Sequence, residues 1–392
     1  MNARRTVLAS VALLAGVTFA VGTAMAQSKE GDQKSDMAAA YLAGKLKVPL
    51  PKITYTGKPI EVRFSSFIPA SAPIWKVWQP ALDRLKAESG GKLYVKLYAG
   101  GVLHSMKDGF KAVRDGISDL SHCYPSYEPT SFKLMPAGEL AGLFPSAAVG
   151  SMVMTELYPK YFKKEYEAMG VYMARISMTP PYDLVSKKPI VTLKDWKGLK
   201  VRTTGGMMAK QVSAAGAVPV FVSTSEAYTA FQRGTVDAVA GHDGAFIAFR
   251  TAEPAKAWTN PRFAAVETPL CMRKAFFDKL PPDLKQLFYA WLQRWNQADA
   301  QRWYDGYAAT ARKKMKGMGI KMVDLTPEQR QSVIGAMEKV NDAWVADMKN
   351  KGLPADQLLK DMHALSKKYE GMSNDELFMM SVKQPVKGIV NF

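Results

Sequence analysis

Two runs, DWKGLKVRTTGGMMAKQ at residues 195–211 and SEAYTAFQRGTVD at residues 225–237, decide how this chain is read. Asp195, Trp196, Lys197 and Gly198 form a turn. Leu199, Lys200, Val201 and Arg202 alternate in polarity as a short strand, which Gly205 and Gly206 end. A helix carrying Met207, Met208, Val212 and Ala215 follows. Arg202 is therefore expected at the C-terminal end of a strand, just before a helix N-terminus. Open α/β sheets bind ligands at that place. Free N–H groups of the helix start favour an anion. A guanidinium beside them can hold a carboxylate through two parallel charge-assisted hydrogen bonds. On position alone, a solvated arginine in a surface salt bridge is an equal alternative.

Upstream of this stretch, strands are expected at residues 60–64, 92–98, 117–123 and 171–176, with helices at 73–89, 106–113 and 151–169 between them. Pro73 suits a first helical position, and Pro80 lies where it can kink the helix. Alternation of strand and helix argues for a mostly parallel α/β sheet. Near Thr179 the chain crosses to a second lobe, with Pro180 and Pro181 stiffening the crossing. Strands at 182–186 and 237–240 belong to that lobe, and a strand at 263–272 returns to the first. Downstream, one long helix at 282–318 carries Leu284, Leu287, Phe288, Trp291 and Trp295 on one face, and helices at 327–348 and 355–368 complete a helical C-terminal region. The polar, then Lys- and Pro-rich residues 27–57 form an N-terminal extension with one short helix near 36–46, draped on the surface or partly disordered.

The chain has 392 residues, enough for two domains and ample core. Its 47% hydrophobic and 22% charged content is that of an ordinary globular protein. Residues 1–26 read as an export leader: Arg4 and Arg5, an apolar run, then Ala24-Met25-Ala26 before Gln27. The apolar run is short for a membrane span. A formal charge of +18 draws anions toward a cleft. No basic helix interleaved with aromatics is present, so nucleic acid is not an expected partner.

Three pieces in order, D-W-K-G-L-K-V-R at 195–202, A-x-G-A-x-P ending at Pro219, and S-E-x-Y-x-A-x-Q-x-G-x-V-D at 225–237, resemble the substrate-binding proteins of TRAP transporters, the DctP family. A weaker likeness runs from about residue 60 to about residue 295. The resemblance implies a two-lobed periplasmic binding protein fold of class α/β. Two mixed, mostly parallel sheets would be joined by a long hinge-spanning helix and followed by helical C-terminal residues. It implies lobe I from 58–178 plus 266–300, and lobe II with the C-terminal helices from 179–265 plus 301–392. It also implies a monomer that closes on a small organic acid, needs no cofactor, and docks on the TRAP membrane permease subunits.

Carried over position by position, the family's clamp falls on Arg202. Phe67, Tyr124 and Tyr127 stand where sugar-acid binders of the family have polar or charged groups. Met106 occupies another reading position at the start of a helix. Tyr182 replaces an arginine that often gives a second clamp. Thr224 stands where an aromatic often packs on the ligand. Gly241 takes the place of an amide reader, and His242 follows it. Such a lining is aromatic and apolar with hydroxyl tips. It lacks the amides that sugar acids want and the second cation that a dicarboxylate wants. A mostly apolar or aromatic monocarboxylate is the ligand that fits best. A dicarboxylate, a sugar acid, a zwitterion such as a betaine held by a tyrosine cage, or a scaffold role without transport are the alternatives. Glu226, Tyr228 and Asp237 match the family pattern and read as structural.

An enzyme is not expected. His122 and Cys123 are adjacent in a strand and point to opposite faces. His104, His122, His242 and His363 show no metal-ligand spacing with the cysteines. The resemblance places Cys123 and Cys271 in one lobe of an exported protein, where a disulfide can form. The favoured reading is two buried free thiols, with strand geometry left to decide.

Overall fold

The computed structural model describes residues 36–392. The expected leader, and residues 27–35 of the extension, lie outside the described residues. Eleven strands are found among the described residues: β1 (Ile60–Ser65), β2 (Leu93–Tyr98), β3 (Leu120–His122), β4 (Val171–Met178), β5 (Asp183–Ser186), β6 (Lys200–Thr203), β7 (Val218–Phe221), β8 (Ala238–Gly241), β9 (Ala257–Thr259), β10 (Glu267–Arg273) and β11 (Lys321–Val323). They build two sheets, one in the order β2-β1-β3-β10-β4 and the other β11-β9-β5-β8-β6-β7. Each sheet holds one reversed strand. β10 is antiparallel to β3 and β4, and β5 is antiparallel to β8 and β9, while every other pairing is parallel. Both sheets are thus mixed and mostly parallel, as the resemblance implies.

The reversed strands are those entered by a crossing. The chain leaves β4 through 179–182 into β5, and leaves β9 through 260–266 into β10. The two crossings are bonded to each other. Thr179 N–H donates to the Val266 carbonyl at 2.9 Å, and the Val266 N–H returns to Thr179 Oγ1 at 2.9 Å. Tyr182 N–H donates to the Ala264 carbonyl at 2.9 Å. This paired ribbon is the natural place for the two sheets to flex against each other.

Helices cover both sheets, and their departures from expectation have local causes. The helix expected at 151–169 starts earlier, at Ala147, because the Ser146 side chain caps it by accepting the Val149 N–H. It is interrupted by a π-type turn at Tyr158–Phe162, since Pro159 has no N–H to donate to the preceding turn. The long helix at 282–318 is also broken. It runs Pro282–Asp299, loosens into a π-type segment Ala300–Asp305, and resumes as Ala308–Gly317. Gly306 sits at the junction, where a side chain would meet the Gln301 carbonyl at 2.7 Å. Trp291 and Trp295 of the first piece are fully buried in the core of the first sheet. The helix Pro327–Asn350 joins the sheets: Val333 and Met337 lie in a core beside the second sheet, and Val340, Trp344 and Met348 in that of the first.

The extension is described from residue 36. Its helix is the single turn and a half Met37–Leu42, with Asp36 accepting the Ala39 N–H as cap. Tyr41 is fully buried against Phe378 and the Arg294 side chain. The short strands β7, β9 and β11 and a last helix, Asn374–Lys383, carried no sequence expectation.

The cysteines correct the sequence reading. Cys123 and Cys271 form a disulfide, with Cα atoms 5.7 Å apart. The physical reason is the β3–β10 pairing, which sets Cys271 opposite Ser121 and brings the Cys123 N–H onto the Pro269 carbonyl. That contact joins residues 148 apart in sequence.

Candidate functional site

The carboxyl ends of β1, β3, β6 and β8 converge between the sheets. Phe67 stands two residues beyond β1, Tyr124 two beyond β3, Arg202 within the end of β6, and His242 directly after β8. A cavity opens there, with about 850 Å³ of space between its lining atoms, mouth included. Arg202, Tyr182, Phe67, Tyr124, Tyr127, Met106, Thr224, Gly241 and His242 all line it. So do residues that sequence reasoning did not select, among them His122, Phe246, Phe249, Thr268, Trp303 and Tyr304.

Three arginines are buried among the described residues, and they divide by their partners. Arg175 pairs with Asp299 at 2.9 Å, its guanidinium also lying over the rings of Trp78 and Trp295. Arg294 pairs with Glu88 at 2.7 Å. Arg202, only 3% exposed, has neutral partners. Its Nε donates to the Val222 carbonyl at 2.8 Å, one terminal nitrogen to Thr224 Oγ1 at 2.8 Å, and the other reaches the Ala240 carbonyl at 3.5 Å. Burial pulls its pKa below the usual arginine value, and the nearby Tyr182, Tyr127 and Tyr124 hydroxyls oppose that. These bonds fix the guanidinium plane and leave its positive charge without a carboxylate among the described residues.

Local sequence explains the placement. Gly205 has φ +89°, and a side chain there would meet the Phe221 ring at 3.0 Å. This glycine turns the chain sharply after β6. The Met207 and Met208 N–H groups at the start of the following helix pull the Glu139 carboxyl down against its burial. Thr224 brackets the guanidinium.

The remaining lining is a shell of rings. Phe67 stacks on Phe249 at 5.8 Å and meets Tyr124 edge-on at 6.1 Å. Tyr124 meets Tyr127 at 6.0 Å, and the Tyr127 hydroxyl donates to Met106 Sδ at 3.4 Å. Burial pushes the Tyr127 hydroxyl up to about 12, against the pull of Arg202. Tyr182 lies 6.2 Å from the His242 ring, and Tyr304 lies 5.0 Å from it. Burial pushes His242 down to about 3, so the ring is neutral at physiological pH. Gly241 is small because Phe246 packs over it, within 2.9 Å of where a β-carbon would stand. Glu226 sits at the cap of the helix Ala227–Gln232 and accepts the Ser223 hydroxyl. Asp237 accepts the Lys200 N–H at 3.0 Å.

The missed lining residues come from stretches whose sequence gave no directional signal. Trp303 and Tyr304 belong to the π-type segment, whose loosened turn moves them off an ideal helical face. Phe246 and Phe249 follow His242 at helical spacing, which was the available clue.

Residues 64–347 match the family described as bacterial extracellular solute-binding protein, family 7, DctP. A curated solute-binding protein of Albidiferax ferrireducens is 28% identical over 218 residues, 52% of this chain and 61% of that protein. Among solved structures, a TRAP solute binding protein from Rhodoferax ferrireducens, in complex with copurified benzoate, superimposes with a TM-score of 0.75 at 23% identity, covering 79% of this chain and 98% of that one. A TRAP periplasmic solute binding protein from a Sulfitobacter species, with bound β-D-galacturonate, gives 0.68 at 18% identity, covering 78% and 100%. At these identities the likeness carries the fold.

Proposed function

This chain belongs to the bacterial extracellular solute-binding proteins of family 7, the DctP family, and from that premise we propose that it captures an aromatic or largely apolar organic monocarboxylate for uptake by a TRAP transporter. The observation that carries this reading is the unpaired Arg202. A buried charge is costly unless an opposite charge and hydrogen bonds accompany it. Both other buried arginines have a carboxylate of this chain, and Arg202 has none among the described residues. A ligand carboxylate supplies what is missing, and the ring shell of Phe67, Tyr124, Tyr127, Tyr182 and Phe249 encloses an apolar body. The benzoate complex of a structural neighbour supports an aromatic acid. The galacturonate complex of another belongs to the same fold, so the preference rests on the lining and not on the fold.

In this reading residues 1–26 direct export to the periplasm. The lobes, 58–178 with 266–300 and 179–265 with 301–392, close on the acid about the paired crossings, and the closed monomer delivers it to the membrane permease. The protein acts by binding, without catalysis. The test is calorimetric titration of benzoate- and cinnamate-type acids into wild type and Arg202→Ala, with circular dichroism of both. The variant folds, since it loses a charge that no carboxylate among the described residues balances, and its affinity falls by about a hundredfold or more. Undiminished affinity in a folded variant overturns the clamp.

A further inference from the structure

Building on this carboxylate-capture reading, we propose that the acid carries a hydroxyl besides its carboxylate, and that His122 and His242 read that hydroxyl. The ligand class is then a hydroxylated aromatic acid.

His122 Nε2 lies 3.1 Å from Ser66 Oγ. That oxygen also accepts the Ile68 N–H at 3.3 Å. A serine hydroxyl has two acceptor lone pairs and one proton, so it satisfies Nε2 in either tautomer. Nδ1 is buried and has no partner among the described residues. His122 is 3% exposed and lines the cavity. It therefore carries a buried ring nitrogen, donor or acceptor by tautomer, that lacks a partner. Such groups are rare in folded proteins and costly to leave unmade. Burial, with Arg175 and His104 nearby, holds the ring well below its usual pKa. The ring is neutral.

His242 supplies the complement. It lines the same cavity, and its Nδ1 is also without a partner. A neutral imidazole keeps one nitrogen as acceptor in either tautomer. Both imidazoles line the cavity that holds Arg202. His242 lies 6.2 Å from the Tyr182 ring, and His122 stacks on Tyr124 at 5.9 Å. An acid bound on Arg202 shares the cavity with both imidazoles.

Two neutral ring nitrogens, each donor or acceptor by tautomer, select among substituents. A second carboxylate wants a cation, and neither ring is one. An ammonium only donates, and a halide or ether oxygen only accepts. A hydroxyl does both and meets either tautomer. If both rings are instead mere packing groups, His122 against Trp78 at 5.7 Å and His242 against Tyr304, hydroxylation changes nothing.

The experiment compares matched pairs by calorimetry on protein purified from expression of the full chain. Benzoate is set against its 3- and 4-hydroxy forms, and cinnamate against hydroxycinnamates. At least one hydroxylated acid is expected to bind about tenfold tighter than its parent, the effect of one added buried hydrogen bond. In His122→Phe the ratio between the two collapses toward one. Proton–nitrogen NMR of histidine-labelled wild type gives a readout independent of that variant's folding: the His122 Nδ1 resonance moves with the hydroxylated acid and not with its parent. Equal affinities within every pair, a ratio that survives His122→Phe, or an unmoved resonance overturns the inference and leaves the Arg202 clamp standing. Failure of every acid to bind removes both.

Discussion

Arg202 is held by neutral groups on a plane fixed by Val222 and Thr224, while Asp299 and Glu88 neutralise the other buried arginines. The same economy of charge is seen in the opposite sign a short way along the chain. Glu139 and Glu267 are both buried, and each has one carboxylate oxygen without a partner. Burial raises the Glu139 carboxyl well above its usual range, with the Glu267 charge adding to it, and burial raises Glu267 to about 7. The two titrate as a pair that holds a proton when folded. The sign follows. The unfolded chain releases this proton above about pH 4.3, so the pair's contribution to stability is complete below that pH. It is lost as pH rises through the folded value. Urea denaturation should therefore show stability falling between about pH 5 and pH 8. Glu139→Gln should flatten that fall by about 2 kcal/mol. An unchanged pH slope in the variant contradicts the shared proton. At this scale the sequence exposed Arg202 because a strand, two glycines and a helix follow one another. It hid the glutamate pair, whose members are 128 residues apart and meet only when the Met135–Glu139 turn packs against the start of β10.

Elements were legible where they repeat a pattern long enough to read. β1, β2 and the Trp75–Glu88 helix fall within one or two residues of expectation. The helix carries Pro80 inside and continues past it. Pattern failed where one residue governs a turn, as Pro159 and Gly306 do. It failed again at the short strands β7, β9 and β11. It was silent on pairing, and pairing decides the disulfide. Cys123 and Cys271 tie β3 to the reversed strand β10, closing a long loop at the side of the cavity, next to Tyr124. Cross-linking such a loop restricts the unfolded chain, so reduction should lower unfolding stability by about 2–4 kcal/mol. Chemical denaturation with and without reductant, with free thiols counted before and after, measures it. Two reactive thiols in the unreduced protein would contradict the bond.

Across the whole molecule, two mostly parallel sheets share one connection ribbon, and the cavity lies where their strand ends face each other. That arrangement was anticipated through the family resemblance that three short motifs carry by their order and spacing. The ring lining was legible one strand end at a time: Phe67, Tyr124, Tyr182 and His242 each follow or flank a strand. Its far side was not, because Tyr304, Trp303 and Phe249 arrive from helical segments that only the folded chain brings across the cavity. A cavity with one uncompensated guanidinium and an aromatic wall should discriminate among acids by charge count and by polarity.

The most direct measurement is a thermal-shift titration of the purified protein against benzoate- and cinnamate-type acids, keto acids, dicarboxylates, uronates and betaines. At about a hundred times its dissociation constant a ligand stabilises by about 2.7 kcal/mol, a readily seen shift. Stabilisation by aromatic monocarboxylates, and by none of the dicarboxylates or uronates, is the result expected of a single clamp in a ring-lined pocket. Stabilisation by dicarboxylates or uronates with aromatic acids inert would contradict it.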